Sequence, residues 1–96
     1  EDLSTAMNLV LVIDDDPAAA DLLERFLTKE GLQVQIAHSG AEGLALARDL
    51  KPAVITLDVM MPEMDGWSVL SRLKGDLQLA DIPVVMVTLL HKKTMV

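Results

Sequence analysis

The sequence predicts an α/β protein in which a doubly wound parallel sheet carries helices on both faces. Three observations point there. Short runs of β-branched and other apolar residues recur along the chain, each of the first three is followed by apolar residues at helical spacing, and three of the runs end in Asp14, Asp58 and Thr88. Strands alternating with amphipathic helices at this spacing argue for βαβ units, whose right-handed crossovers set the winding.

The elements follow in order. Leu9 to Ile13 is a continuous apolar run, the pattern of a strand covered on both faces, and it stops at Asp14. Asp16 and Pro17 read as helix cap and first helical position, after which Ala19, Leu22, Leu23, Phe26 and Leu27 recur at helical spacing until Gly31 supplies a left-handed stop. Gln33 to Ala37 alternates polar and apolar residues as an edge strand does. Ser39 and Glu42 then have the spacing of a capping box for a helix over Gly40 to Leu50. Pro52 breaks that helix, and residues 53–57 form a third strand that ends in an acid, Asp58, as the first ended in Asp14. A helix over Gly66 to Lys74 carries Val69, Leu70 and Leu73 inward, and residues 83–88 make the fourth strand.

At 96 residues and 51% hydrophobic content the chain has room for one core and one domain. The apolar stretches are far shorter than the roughly 20 residues a membrane span needs, so a soluble protein without membrane contact is expected. No leader pattern opens the chain and it contains no cysteine, which favours a cytoplasmic setting. A net charge of −7 repels the phosphates of nucleic acid, and direct DNA or RNA binding is not expected. Residues 1–6 are polar and read as a linker or an expression scar, with the folded domain over residues 7–96.

In an open parallel sheet, ligands sit beyond the carboxyl ends of the strands where strand order reverses. Asp14, Asp15, Asp58 and Thr88 all fall at such ends. Carboxylates gathered there repel one another; two charges about 4 Å apart at an effective dielectric of 20 cost on the order of 4 kcal/mol. A magnesium ion relieves this, because it takes hard oxygen ligands and is commonly held by one or two carboxylates with waters retained. An acidic helix start explains Asp16 alone, since a cap uses one acid rather than three. Asp58 taken by itself is equally readable as an ordinary turn acid.

Three segments carry a family resemblance: Leu-Val-Ile-Asp14-Asp15-Asp16-Pro17, Ile-Thr-Leu-Asp58-Val-Met-Met61-Pro62-Glu-Met-Asp65-Gly66, and Ile82-Pro83-Val-Val-Met-Val-Thr88. In this order they resemble the signature segments of the CheY-like receiver domains of two-component response regulators. The resemblance implies a flavodoxin-like fold with strand order 2-1-3-4-5. It implies that Asp58 is the phosphoacceptor, Asp15 a direct metal ligand, Asp14 a ligand mainly through water, and the Met60 carbonyl a further ligand of Mg2+. Thr88 would donate its hydroxyl to a phosphoryl oxygen and act in the switch. The implied partners are a sensor histidine kinase or phosphotransfer protein upstream and an output domain or effector protein downstream. Such a domain is a signalling phosphoacceptor that assists its own phosphoryl transfer and autodephosphorylation, and is not an enzyme in the usual sense. The chemistry agrees, since a carboxylate can attack phosphorus and a metal neutralises charge in the transfer.

The family also carries a lysine on a fifth strand. The sequence stops at Val96, before that strand and its helix, and the preferred reading is that these residues belong to a longer protein; were the 96 residues the entire polypeptide, an open sheet edge and a tendency to swapped or associated dimers would be expected. Lys92 and Lys93 lie too near Thr88 to replace the lysine and read as solvated charges. Leu89 stands where small residues are common in the family. By the same resemblance Met60 and Leu90 flank the route of an attacking water that apolar groups do not orient. A long-lived phosphoryl group follows, with Leu90→Glu shortening its lifetime.

Trp67 reads as a packing residue, His38 and His91 as surface histidines, and Met60, Met61 and Met64 as an apolar rim beside the acids. Two other functions compete. A pseudo-receiver would bind partners without phosphotransfer, as the missing lysine permits. A phosphatase with an aspartate nucleophile needs a second acid two residues on, where Met60 stands. No glycine-rich phosphate loop supports nucleotide binding.

Overall fold

A computed structural model describes residues 8–87. Within them four strands, β1 (Leu9–Ile13), β2 (Gln33–Ala37), β3 (Val54–Asp58) and β4 (Val84–Val87), alternate with three helices, α1 (Pro17–Lys29), α2 (Gly40–Leu50) and α3 (Gly66–Lys74). All strand pairings are parallel and the sheet order is β2-β1-β3-β4, so the first strand lies inside the sheet and the order reverses around it.

The period-two alternation of β1 sorts the core into two layers. Leu11 and Ile13 point to one face, where they pack with Ile55, Leu57, Leu44, Ala47, Val69 and Leu73 under α2 and α3. Val10 and Val12 point to the other, where Ala20 covers them with Leu23, Leu27, Val34 and Ile36 around it. Each large side chain buried here contributes about 1.5–3 kcal/mol by transfer from water. Leu79 joins the first layer although it belongs to the connection between α3 and β4. That connection is clipped by Lys74, whose Nζ donates to the carbonyls of Ala80 at 2.9 Å and Ile82 at 3.2 Å.

The helix ends are built as their sequences ask, with one variation. Asp16 accepts from the Ala18 amide, with Pro17 first in α1. Past the helix, Gly31 at φ 89° lets its own amide reach the Thr28 carbonyl and the Leu32 amide reach that of Leu27. Ser39 accepts from the Glu42 amide at 3.1 Å, but Glu42 reaches back to the amide of His38 at 2.8 Å, one residue before the cap.

Two expectations change. Leu22 and Phe26 are exposed, and α1 buries the stripe Ala20, Leu23 and Leu27 instead. Positions 22 and 26 stand about 100° around the helix from 23 and 27, beyond the reach of an edge strand that offers only Val34 and Ile36. Trp67 is 59% exposed and is not a packing residue, because the buried face of α3 is already occupied by Val69 and Leu73.

Candidate functional site

The acidic rim forms where β1 and β3 run out side by side. The ladder between β1 and β2 continues one residue past the strand, as the Asp14 amide donates to the Ala37 carbonyl at 3.0 Å. This holds Asp14 at the sheet edge, 5% exposed. The chain then turns toward α1 as the Asp16 amide donates to Asp14 Oδ1 at 2.9 Å. Asp15 sits between the strand and the helix cap, half-buried. On the neighbouring strand Asp58 is itself part of β3, opposite Val87, and only 2% exposed. The Met60 amide donates to Asp58 Oδ1 at 3.2 Å and so fixes one oxygen of that carboxylate.

Behind Asp58 the loop returns and α3 begins. Asp65 caps the helix by accepting from the Ser68 amide at 2.8 Å, and the Gly66 amide donates to the Val59 carbonyl at 3.0 Å. Gly66 thereby lies against the backbone of Asp58. A Cβ at that position would collide with the Asp58 carbonyl oxygen and stand 2.8 Å from the Val59 Cα. The glycine is required by this close approach and not by turn conformation, since among the described glycines only Gly31 has a positive φ.

Asp14, Asp15 and Asp58 each bring a carboxylate oxygen within 4.8 Å of the others. Coulomb repulsion among three such groups, two of them buried, opposes the fold unless a cation stands among them. Asp15 Oδ1 is buried and has no hydrogen-bond partner. An acceptor shielded from water without a donor is what a metal ligand looks like before its metal, and the all-oxygen donor set suits a hard divalent ion such as Mg2+. Asp15 also borders a cleft of about 310 Å3 closed by Ser39 and Gly40 at the start of α2 and by Met61, Pro62 and Met64.

The structure therefore brings together the three acids that the sequence singled out. For Met60 it is the amide whose contact is defined. Thr88 lies outside the described residues, as do Leu89, Leu90, His91, Lys92, Lys93 and residues 1–6. His38 is exposed, as expected. The sequence places Asp65 and Gly66 in the loop above Asp58 with Gly66 serving a turn; the capping role of Asp65, and the close backbone approach as the reason for the glycine, were missed. Asp followed by Gly before apolar residues at helical spacing was the available signal for the cap.

A parallel α/β sheet in this order, with carboxylates converging beyond its strand ends, defines a flavodoxin-like protein with an acidic binding rim. Residues 10–96 match the family described as "Response regulator receiver domain". The chain is 49% identical over 84 residues to the DNA-binding dual master transcriptional regulator RpaA of Synechocystis sp., covering 88% of this chain and 35% of RpaA. It is 38% identical over 88 residues to the protein PilH of Pseudomonas aeruginosa, covering 92% of this chain and 73% of PilH. Chemotaxis protein CheY4 of Vibrio cholerae superposes with a TM-score of 0.80 at 32% identity, over 93% of this chain and 77% of that one. The chain belongs to the response regulator receiver domain family. It is a signalling module, and it spans only about a third of RpaA.

Proposed function

We propose that the domain, residues 7–96 with residues 1–6 as a linker, takes a phosphoryl group onto Asp58 and uses it to switch a partner-facing surface. One observation carries the reading: a buried carboxylate on β3 faces two further acids within 4.8 Å at the carboxyl rim of a parallel sheet. In this reading Asp14, Asp15 and Asp58, with the Met60 carbonyl, hold Mg2+, which when bound neutralises the converging negative charge of the acids and of the phosphoryl oxygens. The Met60 amide donates to one Asp58 oxygen and so keeps the carboxylate oriented for attack on phosphorus. Burial excludes bulk water from the new acyl phosphate, and eventual hydrolysis returns Asp58 to its starting state. Thr88, directly after β4, is the proposed hydroxyl donor to the phosphoryl group.

The donor is a phosphohistidine on a kinase or phosphotransfer protein, and the added charge of about −1.5 to −2 biases a two-state surface toward an output domain or effector. No described helix is long and apolar enough to cross a membrane, which is compatible with a cytoplasmic setting.

The test is direct. The protein and an Asp58→Asn variant are incubated with magnesium and a small phosphodonor, then weighed intact. A gain of one phosphoryl group on the parent alone supports the proposal, and a gain on neither favours a pseudo-receiver.

A further inference from the structure

β2 bounds the sheet on the side away from β4: β1 pairs with its inner side, and no described strand lies beyond it. The pairing runs without a bulge from Leu9 opposite Gln33 to Ile13 opposite Ala37. At its ends the Gln33 amide donates to the Asn8 carbonyl, and the Ala37 carbonyl accepts from the Asp14 amide, each at 3.0 Å. Successive residues of a strand turn their backbone groups to opposite sides. Gln33, Gln35 and Ala37 therefore bond inward to β1, while Val34 and Ile36 hold amide and carbonyl outward.

Edge strands of soluble proteins are commonly guarded by a lysine or other charge, a proline or a bulge. β2 carries none of these, since its residues are Gln33, Val34, Gln35, Ile36 and Ala37. In a chain of net charge −7 this is a neutral edge whose two outward residues are β-branched.

We propose that β2 pairs antiparallel with β2 of a second copy of this chain, joining the two sheets across a two-fold axis at Gln35. The strand is self-complementary about that residue. Val34 stands opposite Ile36 of the second copy, Ile36 opposite the second copy's Val34, and each pair exchanges two hydrogen bonds through its outward groups. An axis at Val34 or at Ile36 would pair only one outward residue of the strand with its twin and halve the bonds. On one face the side chains of Val34 and Ile36 extend across the axis the layer they form with Val10, Val12 and Ala20. On the other face the exposed Gln35 meets its twin, and the two neutral amides each offer donors and an acceptor. No like charges meet along the strand. Asp14, Asp15 and Asp58, at the ends of β1 and β3, lie outside the paired edge. Two bodies of charge −7 repel each other, and salt screens that repulsion while leaving the neutral contacts intact, so association strengthens as ionic strength rises.

The experiment follows amide hydrogen exchange in the 96-residue protein, dilute and concentrated, at low and high salt. The Val34 and Ile36 amides should exchange severalfold more slowly in concentrated protein, most of all in high salt. Those of Gln33 and Gln35, bonded to β1 in either state, should change far less. The chain contains no cysteine, so a single introduced one reports the axis. Gln35→Cys meets its twin at a Cα separation of about 4.5 Å and should give a disulfide-linked dimer under mild oxidation. Gln33→Cys is also exposed but stands opposite Ala37 of the second copy, and should stay mostly monomeric. Gln35→Lys sets two like charges face to face and should abolish the concentration dependence. Val34 and Ile36 amides indifferent to concentration, or equal cross-linking through positions 33 and 35, would overturn the proposal. So would protection of these amides that appears only with an added extended peptide of alternating threonine and valine, which would assign the edge to strands of other proteins.

Discussion

Gly66 and Asp58 touch through their backbones: there is no room for a Cβ on Gly66 beside the Asp58 carbonyl oxygen. Helix propensity by itself would favour alanine at this first position of α3 by up to about 1 kcal/mol. The collision is with main chain and cannot be relieved by a rotamer change. Gly66→Ala should therefore destabilise by about 1–3 kcal/mol and weaken magnesium binding, because relief requires the end of β3 to move. Urea unfolding and a magnesium titration check this; a stabilised variant with unchanged affinity would refute it.

Asp15→Asn should change stability in opposite senses with and without magnesium. Without the ion, removing one of three mutually repelling charges raises stability by about 1 kcal/mol. With magnesium at about 100 times its Kd the parent gains about 2.7 kcal/mol by mass action, and the variant gains far less. Thermal unfolding with magnesium and with a chelator reads both. A variant that is weaker in chelator, or that keeps the full magnesium gain, contradicts the assignment of Asp15.

Leu77 and Leu79 stand two residues apart in the same connection, at 96% and 1% exposure. Leu79→Ala opens a cavity beneath α3 and should cost about 2–5 kcal/mol. Leu77→Ala should stay within about 0.5 kcal/mol of the parent. Denaturant midpoints of the two variants decide, and comparable losses would show that the connection is packed otherwise.

Trp67→Ala should likewise leave stability within about 0.5 kcal/mol, since the indole is 59% exposed. A loss of several kcal/mol in denaturant would restore the packing role that its sequence context implies.

Much of this architecture is legible from local patterns. The continuous run at Leu9–Ile13 and the alternation at Gln33–Ala37 distinguish an interior strand from an edge strand, and the sheet has them so. Caps at Asp16 and Ser39 are written in side chains that bond within a few residues. The acids Asp14, Asp15 and Asp58 were recognisable because each follows or ends a strand, and parallel winding carries all such ends to one rim. What escaped depends on distant partners. Whether Leu22 or Ala20 faces the sheet is decided by how much apolar surface β2 offers, and the need for glycine at position 66 is decided by the path of β3. Leu79 is core because α3 leaves space above it, which no periodicity in its own segment announces.

The placement of β1 has a consequence for synthesis. It leaves the ribosome before both of its neighbours, yet it must be flanked by β2 on one side and β3 on the other. Its second flank cannot close until residue 57 has emerged, so a nascent chain shorter than that holds a half-zippered ribbon with an apolar border. The residue completing that border, Leu57, directly precedes the last acid of the triad, so a growing polypeptide brings its three carboxylates to one rim immediately after its central strand is sealed.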